Sequence, residues 1–249
     1  MITAKKSKCF SQLFYFYLNN YLLKRHFQSI VVEGEVDPLH KGPVIYIANH
    51  SSWWDGLLLF YMTHQQSKRH HYIMMDEVGL NKYPFFRKIG AFSINRDQPK
   101  EVVKSLRYSE QLIKQGNSLW LFPQGEIQNQ EIRPLQFKTG IGYLLERFEQ
   151  VTIKPVTFYY AFGEAQKPIV SIRIGDPFLV EGTSKSRKRW TSYTQRLIEK
   201  QADAQRKEVI TNLHFDHLPR QYQLMKQSKS TSDRFHNWKE GVRKWTPFS

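Results

Sequence analysis

From residue 42 onward, short apolar runs rich in β-branched and aromatic residues alternate with longer stretches of helical periodicity. That alternation predicts βαβ units around a mostly parallel sheet. Strands are expected at 44–48, 72–75, 92–95, 119–122, 153–159 and 169–174. Helices are expected at 54–64, 99–115 and 139–148, with a long polar helix from about 191 to 213. Gly116 stands where a helix C-cap belongs, and Gly90 where the chain enters a strand. The expected fold is α/β, a mostly parallel central sheet flanked by helices, with a peripheral amphipathic helix at the N-terminus. Its expected organisation is a membrane-associating helix at 1–30, one α/β domain at 31–215 and a basic extension at 216–249. That extension is polar and irregular, punctuated by Trp238 and Trp245.

The N-terminal pattern differs from the rest. Phe10, Leu13, Phe14, Tyr17, Leu18, Tyr21 and Leu22 recur at the spacing of one helical face, while Ser11, Gln12, Asn19 and Asn20 fall off it. Lys5, Lys6 and Lys8 precede this stretch; Lys24 and Arg25 follow it. Two readings suit such a helix: an aromatic face lying in an anionic lipid interface, or a face packed on the domain's own core. No small-residue cleavage site follows the apolar stretch, which argues against a signal peptide. The apolar runs are also too short for a membrane-spanning helix of about 20 residues.

Charge narrows the partners. The 249 residues carry 37 Lys and Arg against 22 Asp and Glu, a formal net charge of +15. An anionic membrane surface, a phosphorylated ligand or nucleic acid would each answer that charge. No helix-turn-helix, zinc-finger or stacking-sheet signature accompanies it, so nucleic acid is not expected. The basic loop 185–189 is the densest local run. A single cysteine, Cys9, permits no intrachain disulfide; at the head of the amphipathic helix it could carry an acyl group, with a free thiol as the default. The pairs His70-His71 and His214/His217 with Asp216 match no zinc-ligand pattern, so no metal is expected.

The densest chemistry lies in NHSSWWDG, residues 49–56, between a strand and a helix. Ligands of open α/β sheets sit beyond the carboxyl ends of strands, which puts His50 and Asp55 in a favoured position. Positions five apart face different ways on both a helix and a strand, so only an irregular turn can make these two touch. If it does, the carboxylate fixes the imidazole tautomer and raises its basicity, giving a general base whose nucleophile comes from the substrate. Otherwise Asp55 is a helix cap and His50 an ordinary surface residue.

Residues 49–55 resemble the first motif of the glycerophospholipid acyltransferase superfamily, whose type members are acylglycerol-phosphate acyltransferases. Residues 90–96 resemble the second motif, 122–126 the third, 137–140 the basic stretch that follows it, and 151–156 the fourth. Four blocks stand in family order. The resemblance implies transfer of a fatty acyl group from an acyl-CoA or acyl-carrier-protein thioester to a hydroxyl of a lysophospholipid or related lipid. It implies a peripheral enzyme on the cytoplasmic face of a membrane, with no bound cofactor, metal or ATP. His50 would be the base and Asp55 its orienter. Arg96, Lys138, Gln124, Gly125 and Glu126 would line the substrate side, with Gly125 a candidate oxyanion contributor.

The chain departs from the family in its third block. Relatives commonly carry Glu after Phe-Pro and Thr-Arg after the glycine, where this chain has Gln124, Glu126 and Ile127. A lost arginine weakens the case for a phosphomonoester acceptor, because the guanidinium fork pairs bidentately with phosphate. Arg133 or Lys138 would have to substitute. An uncharged acceptor such as a glycolipid, and an inactive lipid- or nucleic-acid-binding relative, therefore stand as alternatives.

Overall fold

The computed structural model describes residues 1–38, 42–212, 223–225 and 238–240. Among them, nine strands form one sheet in the order β4-β3-β5-β2-β6-β7-β1-β9, with β8 pairing to β6. The strands are β1 (Ser29–Glu33), β2 (Val44–Ala48), β3 (His71–Asp76), β4 (Ala91–Ile94), β5 (Ser118–Leu121), β6 (Val151–Ala161), β7 (Ile169–Ile174), β8 (Phe178–Val180) and β9 (Gln223–Met225). Pairing is parallel from β4 through β6 and again between β1 and β7. It is antiparallel where β6 meets β7 and β8 and where β1 meets β9. The helices are α1 (Lys8–Tyr17), α2 (Leu23–His26), α3 (Asp55–Gln66), α4 (Glu77–Lys82), α5 (Pro99–Lys114), α6 (Gly140–Leu145) and α7 (Arg187–Thr211).

This is the expected α/β architecture, and β2 and β7 fall on the expected residues. Four elements escaped the pattern, one of them β8, three residues paired to β6. β1 has only three apolar residues, Ile30, Val31 and Val32, shortly after a helix, and its pairing with distant strands, β7 140 residues on and β9, makes it a strand. β9 lies in the stretch expected to be irregular, yet it pairs with β1 and buries Leu224 and Met225. α4 is one short helix capped by Asp76, whose carboxylate accepts from the N–H groups of Val78 and Gly79. The expected third helix is also shorter, because the chain turns at Glu146 to enter β6. The end of the last expected helix at 213, His214, Asp216, His217 and Trp245 lie outside the described residues.

Both faces of the sheet are covered, as a parallel sheet requires. On one face Val44, Tyr46 and Ala48 pack with Trp120, Phe158 and the α3 residues Leu58, Tyr61 and Met62. On the other, Ile45 and Ile47 pack with Leu119, Leu121, Ile153, Leu112 of α5, Leu144 of α6 and Ile198 of α7. The N-terminal helix divides its residues between two environments. Leu18, Leu23 and Phe27 are buried in the first core and Phe14 packs against it, whereas Leu13, Phe16, Tyr17 and Tyr21 are exposed. The division is already present within α1, between Leu13 and Phe14, before the π-helical turn at Leu18–Leu22 that joins α1 to α2, so the single expected face is shared between solvent and core.

A polar network lies beside β5. Trp120 Nε1–H donates to His71 Nδ1 at 2.9 Å, leaving the proton on His71 Nε2, which faces Ser67 Oγ at 2.6 Å. The Ser67 hydroxyl in turn donates to Asp37 at 2.6 Å. Burial pushes the His71 pKa down from 6.5 to about 3. Between those two pH values the unfolded chain binds a proton that the folded chain refuses, so the stabilisation is complete above about pH 6.5 and is lost as pH falls toward 3. In urea titrations, wild type should therefore lose stability below pH 6.5 faster than His71→Gln, by at most about 1.4 kcal/mol per pH unit, the limit for one proton. Glutamine can accept from Trp120 and donate to Ser67 without titrating; equal slopes for the two proteins would contradict this account.

Candidate active site

The loop after β2 makes the irregular turn that contact between His50 and Asp55 demands. Asn49 ties the loop to β6, giving its Nδ2–H to Phe158 O at 3.0 Å and accepting from Phe158 N–H at 2.7 Å. Ser51 and Ser52 then aim their backbone N–H groups at Asp55 Oδ2, at 2.8 and 3.0 Å. The same oxygen accepts from His50 Nδ1–H at 2.8 Å. Asp55, the first residue of α3, is fully buried, whereas the His50 side chain is 21% exposed. The carboxylate thus spends itself on the turn and on the imidazole. With the proton held on Nδ1, the lone pair sits on Nε2, the atom able to take a proton from a substrate.

The segment after β5 fixes His50 from its other side. The imidazole stacks on Phe122 with ring centres 4.3 Å apart. Gln124 Oε1 accepts the His50 backbone N–H at 2.6 Å, and the His50 carbonyl accepts from Gln128 N–H at 2.9 Å. Gln124 is buried and its amide continues to Gln128 Oε1 at 2.9 Å. Its amide is thus engaged with the His50 backbone and with Gln128.

Arg96, Gly125 and Lys138 meet one residue further along. Arg96 Nη1 donates to the Gly125 carbonyl and Nη2 faces Asp76 at 3.3 Å, not the neighbouring Asp97. Lys138 N–H bonds Pro123 O at 2.8 Å, bringing the lysine stem alongside. Gly125 has φ +76°, and a Cβ there would lie 3.4 Å from both Arg96 Nη1 and Lys138 Cγ. Glycine allows both the left-handed turn and the close approach of the Arg96 guanidinium and the Lys138 stem. Glu126 is exposed and accepts from Gln128 Nε2 at 3.2 Å. Arg133 is engaged elsewhere, with Asp203 of α7 at 2.7 Å and the carbonyls of Gln130 and Ile132. It cannot replace the lost arginine without breaking those bonds.

Three contributors carried no signal in the sequence. Gln128 and Gln130 sit in a polar loop, and Tyr160 is one aromatic among several in β6. The Tyr160 hydroxyl donates to Asp55 Oδ1, the oxygen that the turn leaves over. Burial and the adjacent carboxylate hold its pKa well above the usual phenol value, so it stays a donor. The basic loop lies elsewhere: Lys185, Lys188, Arg189 and Arg196 line a groove of about 620 Å³ at the start of α7, beside β8 and the opening of β6, away from the strand ends that carry His50. His71 is committed to its network with Trp120 and Ser67. Among the described residues, no three His, Cys, Asp or Glu side chains cluster as metal ligands would.

The fold is that of an α/β acyltransferase, with the candidate site at the ends of its strands. The chain belongs to the Acyltransferase family, which it matches over residues 29–159, and the match bears out the resemblance to glycerophospholipid acyltransferases drawn from the four blocks. A solved structure with a similar fold is the 1-acyl-sn-glycerophosphate acyltransferase PlsC from Thermotoga maritima, with a TM-score of 0.54 and 17% identity over 79% of this chain and 78% of that one. No curated protein sequence matches the chain.

Replacing Gln124 by Met keeps the side-chain length but removes the acceptor for the buried His50 N–H. Urea unfolding should show a loss of about 1–3 kcal/mol, the cost of an unpaired buried donor. A loss below about 0.5 kcal/mol would mean that the loop satisfies His50 by other means.

Proposed function

We propose that this protein is a peripheral membrane O-acyltransferase that moves a fatty acyl group from an acyl-CoA or acyl-carrier-protein thioester to a hydroxyl of a lysophospholipid or related lipid. The observation that carries this reading is the 2.8 Å bond from His50 Nδ1 to the fully buried Asp55. His50 Nε2 takes the proton of the acceptor hydroxyl as its oxygen attacks the thioester carbonyl. The tetrahedral intermediate collapses with cleavage of the C–S bond, and the thiolate leaves with the proton from His50. A thioester is already activated, so the step calls for neither metal nor ATP. Arg96 and Lys138, grouped at Gly125, supply positive charge to an anionic headgroup or to the developing oxyanion.

The acceptor has a second reading. Asp76 already faces Arg96 and Glu126 adds an exposed carboxylate, so the polar side is less cationic than a phosphomonoester would favour. That observation supports an acceptor with an uncharged headgroup, such as a glycolipid. Offering lysophosphatidate and a monoglycosyl lipid in parallel with radiolabelled thioesters distinguishes the two. For whichever is used, His50→Ala should lower kcat/KM by about 10²–10⁴, the contribution of a general base. Activity within a few-fold of wild type would remove His50 from the reaction.

The membrane reading rests on Leu13, Phe16, Tyr17 and Tyr21, four exposed apolar or aromatic residues on one helix flanked by lysines and Arg25. Further exposed apolar side chains, Trp53, Val78 and Ile127, stand in the segments just beyond β2, β3 and β5, at the same sheet end as His50. An anionic lipid surface accounts for both features and for the net charge. No helix among the described residues is long and apolar enough to cross a membrane. Deleting the helix would also remove Leu18 and Leu23 from the core, so the sharper variant changes Leu13, Phe16, Tyr17 and Tyr21 to Ser together. Sedimentation with anionic vesicles should fall at least about tenfold while the melting temperature holds; undiminished sedimentation would assign binding to another surface.

A further inference from the structure

We propose that Tyr160 is a positioning residue of the acyl-transfer site, setting the basicity of His50 through the oxygen of Asp55 that His50 does not touch. The inference rests on the acyltransferase reading for its kinetic consequence, but its structural content stands alone. Asp55 Oδ2 is saturated by His50 Nδ1 and the N–H groups of Ser51 and Ser52. Oδ1 points to β6, where the Tyr160 hydroxyl donates to it. The carboxylate is fully buried, so no bulk water replaces that donor.

The phenol is held as deliberately as the imidazole. Gln130 clips the Tyr160 backbone in both directions, its Oε1 accepting from Tyr160 N–H and its Nε2 donating to Tyr160 O, both at 2.9 Å. Two residues earlier Asn49 clips Phe158 in the same way. Both amides come from loops at the sheet end that carries His50, so β6, the turn after β2 and the loop after β5 form one unit. The Tyr160 ring leans toward Phe27 with centres 6.3 Å apart, which closes its other side. A hydrogen bond to one carboxylate oxygen draws charge from the other. The tyrosine therefore tempers the pull of Asp55 on the His50 proton while preventing the carboxylate from rotating.

The surrounding charges are few. The loop after β5 presents the neutral amides of Gln124 and Gln128 to His50, with Glu126, Arg96 and Lys138 beyond them. From the N-terminal helix, His26 packs on Trp54 with ring centres 4.8 Å apart. Each of these is unchanged when Tyr160 is altered.

The experiment is an NMR titration of the His50 imidazole in the full chain, its resonance assigned by its loss in His50→Ala, run on wild type and Tyr160→Phe. Removing the hydroxyl should raise the His50 midpoint by about 0.5–1 unit, because the carboxylate then faces the imidazole with undivided charge. With acyl-CoA and a lipid acceptor, kcat should fall about tenfold with KM within about twofold, and the acid limb of the pH profile should move up with the midpoint. In the His50→Ala background, Tyr160→Phe should cost no more than about twofold. An unchanged midpoint overturns the proposal even if stability falls, since that is the mark of a purely structural tyrosine. Should Tyr160→Phe fail to fold, 3-fluorotyrosine placed at 160 alone keeps the hydroxyl and strengthens its donation, and the midpoint should move down; no movement overturns the proposal equally. The titration needs no substrate, so a wild type inactive toward every thioester would sink the acyltransferase reading while leaving this one to be judged.

Discussion

A fully buried carboxylate, Asp55, is the constraint from which the site is built. An ionised group taken out of water is costly unless its oxygens are paired, and four donors converge on this one. Three come from the six-residue turn itself and one from a strand more than a hundred residues later. The turn cannot relax without unpairing the charge, and β6 cannot shift without withdrawing the phenol. One unfavourable burial thereby fixes the imidazole to within a hydrogen bond, a precision that a surface ion pair such as Arg96 with Asp76 would not supply.

Neutral amides do the rest of the holding. Asn49, Gln124, Gln128 and Gln130 each bond a backbone or another amide around the His50–Asp55 pair. An amide both accepts and donates and brings no charge, so it can sit beside a buried carboxylate without raising its cost. This gives a physical account of the departure in the third block. With Gln at 124, where relatives of the family commonly carry Glu, the His50 N–H keeps its acceptor and the amide's other end is left free to bind Gln128. A carboxylate there would place a second negative charge against the loop that already holds Asp55. The glutamine at 124 therefore fits the hydrogen-bond network that holds the His50 loop.

The sequence disclosed what is local and periodic. The parallel strands β2 to β6, the helices α3, α5 and α6 between them and the Gly116 C-cap, at φ +80°, follow from patterns shorter than about 20 residues. So did His50 and Asp55, because a dense polar cluster at a strand end is visible without any partner. What stayed hidden depends on distant pairing. β1 and β9 become strands only through neighbours far along the chain, and Tyr160 matters only because β6 lies beside β2. The long apolar run of β6 masks the one residue in it that has a polar task. The N-terminal stripe misled in a different way: helical spacing shows that apolar residues share one broad face but not which edge of it meets the core, and here Leu18, at the start of the π-helical turn, lies inside while Leu13, Tyr17 and Tyr21 stay outside.

That turn has a further consequence for how the proposed interfacial helix and the site are joined. The helix that exposes Leu13, Phe16 and Tyr17 also buries Leu18 and Leu23, and ends at Phe27, whose ring meets Trp54 edge-on at 4.9 Å and leans on Tyr160. Trp54 directly precedes Asp55. The exposed stripe and the Asp55 carboxylate are thus separated by packed rings, not by a flexible tether, and in the proposed function a helix lying in a lipid surface would hold the mouth of the site at a fixed height and tilt above it. For a lipid acceptor whose hydroxyl lies near the headgroup level, such fixed presentation replaces part of the orientational search that free diffusion would require. The basic groove at the start of α7, beside the other end of β6, takes no part in that geometry.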